Sequence, residues 1–215
     1  MSEVKLVILG AGGHGKVCAE IADELRRYAA IAFSDDGIAR GTPVLRWVVE
    51  YHDADLPGLD LPDMEFIVGM GQTASGAGRE RLYRWLHDYG ARMATLTSRS
   101  AIVSPAASLG SGTVVGNLAL VQAAATIGRN CIVNSCALVE HDCSIGDHVH
   151  LSTGSIVNGG AAVADRCLVG SGAVVNHGVA ICADTIIGSG AAVVADIVEP
   201  GVYVGVPAKR LRDAG

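Results

Sequence analysis

From Val103 to Val193 every sixth residue is Val, Ile or Leu, without a shift of frame. A period of six matches neither the 3.6 of an α-helix nor the 2 of a half-buried strand. It matches a chain that turns one corner per hexad and three corners per coil, with the aliphatic column filling a prism-shaped core. Four residues further into each hexad stands a small or β-branched side chain, as at Ala119, Ala125, Cys131 and Ala137. This part of the chain is expected to form a left-handed parallel β-helix. Residues 18 apart then stack one sheet spacing, about 4.8 Å, from each other.

Apolar residues make up 50% of the 215, yet aromatics only 4%, which suits a narrow core of aliphatic layers. A net charge of -6 argues against a nucleic-acid surface. Residues 100–128 carry no charge, but Thr113, Asn117 and Gln122 and the unbroken hexad frame speak against a membrane span. Of the six cysteines, Cys131, Cys143 and Cys167 take the small inward hexad position and Cys18 falls on an expected helix, while Cys136 and Cys182 fit neither place. With no CxxC pair and no basic-then-apolar leader after Met1, a reduced, cytoplasmic protein is expected.

The front third reads differently. Val4 to Leu9 is a buried-strand run, followed by Gly10-Ala11-Gly12-Gly13-His14-Gly15 and a helix-like stretch from Lys16 to Tyr28. Further strands are expected at Ala29 to Phe33, ending at Ser34-Asp35-Asp36, and at Met64 to Val68, ending at Gly69, before a helix from Arg79 to Tyr89. Strand, glycine turn, helix, strand and acidic residue make a small Rossmann-like domain over residues 1–98, with the β-helix and a terminal cap over 99–215. The turn fits G-x-G-x-x-G, but only half of a dinucleotide fold is present, so one nucleotide diphosphate on the helix N-terminus is the better functional reading. Asp35 and Asp36 would accept hydrogen bonds from its base or ribose. The bland alternatives are an empty tight turn and a solvated strand end.

His141, Gly159 and His177 are spaced 18 and 18, so they share one corner column. Asp142 is placed to orient the His141 imidazole and raise its basicity. Gly159, one coil above, would leave a bare N–H for a developing oxyanion. A base beside a bare N–H suits acyl transfer to an amine, the alternative being a packed surface histidine. His177 lies two layers from His141 and is read as structural or peripheral, and His150 as reaching a ligand across a subunit boundary or as structural. A stripe of small residues around Ser171 and Ser189 offers a groove for a thin molecule such as the pantetheine arm of coenzyme A, or a packing surface between subunits. Lys209, Arg210 and Arg212 would meet coenzyme A phosphates or form a solvated cationic tail. No metal site is expected.

The glycine turn, Ser34-Asp35-Asp36, Glu140-His141-Asp142 and Val204-Gly205-Val206-Pro207-Ala208-Lys209 together resemble the hexapeptide-repeat acyltransferases, and within them the nucleotide-sugar N-acetyltransferases. The resemblance implies a homotrimer with active sites between subunits and acetyl-coenzyme A as donor. It implies His141 as base with Asp142 as its partner, and sugar-nucleotide contacts at Gly12, Gly13, His14, Asp35, Asp36 and Gly69. His150, Gly159, Ser171 and Ser189 correspond to the acetyl-coenzyme A site. Rival readings are N-acetylation of a UDP- or dTDP-linked amino sugar, O-acetylation of a sialic-acid-like sugar, and a non-catalytic β-helix scaffold.

Overall fold

The computed structural model describes residues 4–59, 61–72 and 76–213, so Met1, Ser2 and Glu3 of the N-terminal stretch lie outside the described residues. The chain opens with β1 (Lys5–Leu9), α1 (Gly13–Leu25), β2 (Ala30–Ser34), β3 (Pro43–Val44), β4 (Trp47–Tyr51), β5 (Met64–Val68) and α2 (Ala77–Asp88). The sheet order is β3-β4-β2-β1-β5, all parallel except the β3–β4 hairpin. The inner strand β1 is covered on both faces and wholly apolar from Leu6 to Leu9, as a buried parallel strand should be. α1 starts three residues earlier than the sequence suggests, because its first turn runs through the glycines. The β3–β4 hairpin was not foreseen; no alternation marks it.

From residue 96 the chain becomes a three-sided parallel β-helix of two-residue strands. One face stacks residues 102–103, 120–121, 138–139, 156–157, 174–175 and 192–193, and a second stacks 108–109, 126–127, 144–145, 162–163 and 180–181. The third runs from 96–97 through 114–115, 132–133, 150–151, 168–169 and 186–187 to a terminal antiparallel pair, Val202–Val204 and Lys209–Arg212. The register is 18 as far as Val193, as in Val121↔Val139↔Val157↔Val175↔Val193, and drops to 16 where Ile186 pairs with Val202. The aliphatic and small-residue columns form one buried core, with Cys131, Cys143 and Cys167 in the small positions.

The three outer faces are not alike. On the third, Val114, Ile132, His150 and Leu168 are buried, and Val114 joins the core of the front domain. The first presents Ile102, Leu120, Leu138, Ile156 and Val174 outward, with Ile102 66% exposed. The second presents the small residues Ser108, Thr126, Ser144, Ala162 and Ala180. No helix among the described residues is long and apolar enough to cross a membrane.

Candidate active site

Two separate groups of the expected residues emerge. The first surrounds the glycine turn. An added Cβ at Gly69 would stand 2.5 Å from Ile8 Cγ2, 2.8 Å from the Gly10 oxygen and 2.9 Å from Gly15 Cα, so glycine here lets two strand ends and a helix meet. Gly12 and Gly13 differ: a Cβ on either meets nothing within 4 Å. Packing does not require those glycines, and the open space lies at the first turn of α1. That turn has no side-chain cap and no acidic residue, leaving its N–H groups and positive dipole end for an anion.

Asp35 holds this cradle. Its Oδ2 accepts the Ala11 N–H at 2.8 Å and its Oδ1 the Gly37 N–H at 2.9 Å. Asp36 accepts the Asp53 N–H at 2.8 Å. Asp35 therefore braces the glycine turn, Asp36 braces the chain at Asp53, and each keeps lone pairs to spare. Gly69 likewise has a packing role that the sequence reading did not assign.

His14, on α1, and His150, on the third face of the β-helix, come together across the domain junction. Burial pushes the His14 imidazole down to about 3, with the charges of Arg79 and His150 adding to the effect. Burial also brings His150 down to about 4, helped by Arg79. His150 Nδ1 donates to the Gln72 carbonyl at 3.0 Å, which fixes its tautomer and turns Nε2 into an acceptor. Three residues here escaped sequence reasoning: Gln72, Asn130 and Arg79. For Arg79 a signal existed, since Arg79, Tyr83 and Leu86 are the buried stripe of α2 at i, i+4 and i+7.

The second group sits at the corner between the first and second faces. Asp142 has φ +60, a left-handed conformation that aspartate tolerates, and this turn folds its carboxylate back onto the preceding ring. His141 Nδ1 donates to Asp142 Oδ2 at 2.8 Å, leaving Nε2 as the basic nitrogen. A Cβ at Gly159 would lie 2.7 Å from both Cε1 and Nε2 of His141. The glycine therefore first makes room for the imidazole itself, a closer relation than the clearance for an incoming acyl group expected from the stacking. Its N–H donates to no group among the described residues, while its carbonyl accepts from Gly178 at 3.1 Å.

His177 is exposed in the same column. Ser171 and Ser189 are exposed at the corner between the third and first faces, where the Gly190 N–H donates to the Ser171 carbonyl at 2.9 Å. Lys209 is exposed on the terminal strand pair. His150 and the glycine turn thus lie on the face opposite the His141 corner. No group of three or more His, Cys, Asp or Glu able to hold a metal occurs among the described residues.

Comparison with known proteins settles the lineage. Residues 5–86 match the PglD N-terminal domain family. The acetyltransferase domain of PglB from Neisseria gonorrhoeae superposes with a TM-score of 0.92 at 33% identity, covering 96% of this chain and 99% of that one. This chain belongs to the nucleotide-sugar N-acetyltransferases of the left-handed β-helix superfamily. The same domain in complex with acetyl coenzyme A gives 0.91 at 34% identity, with 96% and 98% covered. PerB from Caulobacter crescentus, in complex with CoA and GDP-perosamine, gives 0.88 at 35% identity over 96% of this chain and 97% of that one. No curated protein sequence matches this chain.

Proposed function

We propose that the protein transfers acetyl from acetyl-coenzyme A to the 4-amino group of a nucleotide-linked dideoxyamino sugar, GDP-perosamine or a close analogue, for surface polysaccharide such as O-antigen. The observation that carries this reading is the His141–Asp142 pair lodged against Gly159 in a fold matching the Caulobacter GDP-perosamine complex over nearly its whole length. His141 Nε2 takes the proton from the amine as it attacks the thioester carbon. Asp142 holds the ring and stabilises the imidazolium that forms. The Gly159 N–H receives the negative charge that develops on the acyl oxygen. The thiolate of coenzyme A leaves and is protonated.

On the same reading Gly12, Gly13, His14, Asp35, Asp36 and Gly69 hold the nucleotide sugar, with the diphosphate on the first turn of α1. His150, Gly159, Ser171, Ser189 and Lys209 line the path of acetyl-coenzyme A. The working assembly is a homotrimer, which joins the two groups of residues. The outward column Ile102, Leu120, Leu138, Ile156 and Val174 supports it, since a stripe this apolar is normally covered. The division into residues 1–98 and 99–215 separates the nucleotide unit from the transfer unit. Cytoplasmic residence is supported by six unpaired thiols, four of them buried.

Thiol release from acetyl-coenzyme A tests this directly, with GDP-, UDP- and dTDP-linked 4-amino sugars as acceptors. Preference for the GDP-linked sugar is expected. Absence of turnover on every 4-amino sugar would overturn the proposal.

A further inference from the structure

Arg79 is 2% exposed and makes no ion pair among the described residues. Its guanidinium donates to four oxygens instead. Nη1 reaches the carbonyls of Val68, at 3.4 Å, and Met70, and Nη2 reaches the Asn130 carbonyl at 2.9 Å and its Oδ1 at 3.0 Å. The first two flank Gly69 at the end of β5. The other two sit on a β-helix corner one coil below His148, whose Nδ1 lies 2.9 Å from Asn130 Nδ2. A planar fork thus joins the loop after β5 to the coil that leads toward His150.

A buried cation with no carboxylate beside it is costly, and a neutral amide could have bridged some of the same oxygens. The charge faces His14 and Cys18 from α1 and Cys131, His148 and His150 from the coils, with Glu80 and Arg84 nearby on α2. We propose that Arg79 is a positioning residue for the nucleotide-sugar site: it clamps the Gly69 loop against the β-helix and sets a positive field across the His14–His150 junction. The substrate named here rests on the function proposed above; the clamp and the field do not. The field favours an anionic diphosphate at the cradle and disfavours protonation of either imidazole, or of a sugar amine brought beside them.

The test uses the full-length assembled protein with Arg79→Lys and Arg79→Met. Lysine keeps the charge without the fork; methionine keeps the stem without the charge. Both variants should raise the KM for GDP-perosamine by about tenfold or more, as misplaced binding groups do, while the KM for acetyl-coenzyme A moves less than about twofold. In nuclear magnetic resonance titrations without substrate, the His14 and His150 rings should titrate higher in Arg79→Met and near the wild-type values in Arg79→Lys. Unchanged KM values and unshifted rings, with only a lower melting temperature, would make Arg79 a structural buttress and overturn the proposal. An equal rise in both KM values would overturn it too. If Arg79→Met does not fold, Asn130→Ala tests the clamp from the other side and should give the same selective KM rise. Should the wild-type enzyme turn over no nucleotide sugar, the function proposed above fails, whereas the ring titrations still decide the field.

Discussion

At His141 the arrangement is local: one residue in a left-handed corner turns a carboxylate onto the ring, and one glycine in the next coil gives the ring its place. His141→Asn keeps the shape and removes the base, so kcat should fall by roughly 10²-fold or more. Turnover near the wild-type rate across the pH range would contradict that role. Gly159→Val should abolish transfer because its side chain displaces the imidazole, while GDP binding and circular dichroism stay normal. A third residue-scale prediction concerns pH. His14 and His150 are held neutral in the fold, down to about 3 and about 4, whereas in the unfolded chain they titrate near 6.5. Above that value neither state binds the protons. As the pH falls toward 4 the unfolded chain takes up protons that the fold refuses, so stability is lost in that window, on the order of 3 kcal/mol for each imidazole. The melting temperature should be level above about pH 7 and decline below it, with a shallower decline in His150→Gln. An equal decline in that variant would show that His150 is not the source.

At the scale of elements, the β-helix was legible almost residue by residue, because a single period sets both its core and its stacking. The hexad frame alone puts Val139, Val157 and Val175 in one ladder and Gly159 above His141. The front sheet was legible in its strands and its glycine turn. It was not legible in β3 and β4, which pack at a sheet edge without alternation. Asp35 bonding to the Ala11 N–H was hidden as well, since spacing does not reveal which carboxylate braces a turn. Arg79 was missed because a charged residue in an amphipathic stripe is normally read as solvated, and only the packed junction shows what it meets. One element-scale prediction follows from the stacked columns. Ser155 stands between Ala137 and Ala173, and its buried hydroxyl has no hydrogen-bond partner among the described residues. Ser155→Ala should therefore leave stability unchanged or raise it by about 1 kcal/mol in a denaturation measurement. A clear loss would show that the hydroxyl is satisfied in solution.

The whole molecule carries its glycine turn against one face of a triangular prism and the His141–Asp142 pair, the proposed base, on the opposite edge. That separation, and the apolar stripe from Ile102 to Val174, are the grounds for the proposed assembly in which each active site draws on two copies. A mixture of two inactive variants tests this most directly. His141→Asn lacks the base. Gly12→Leu puts a side chain into the open space of the cradle, where a Cβ meets nothing within 4 Å. Each should be nearly inactive alone on GDP-perosamine and acetyl-coenzyme A. Co-expressed in equal amounts, they should recover roughly a quarter of the wild-type rate, the share of sites that pair an intact corner with an intact cradle. Activity no higher than that of either variant alone would mean that base and cradle must belong to the same chain, contradicting the account.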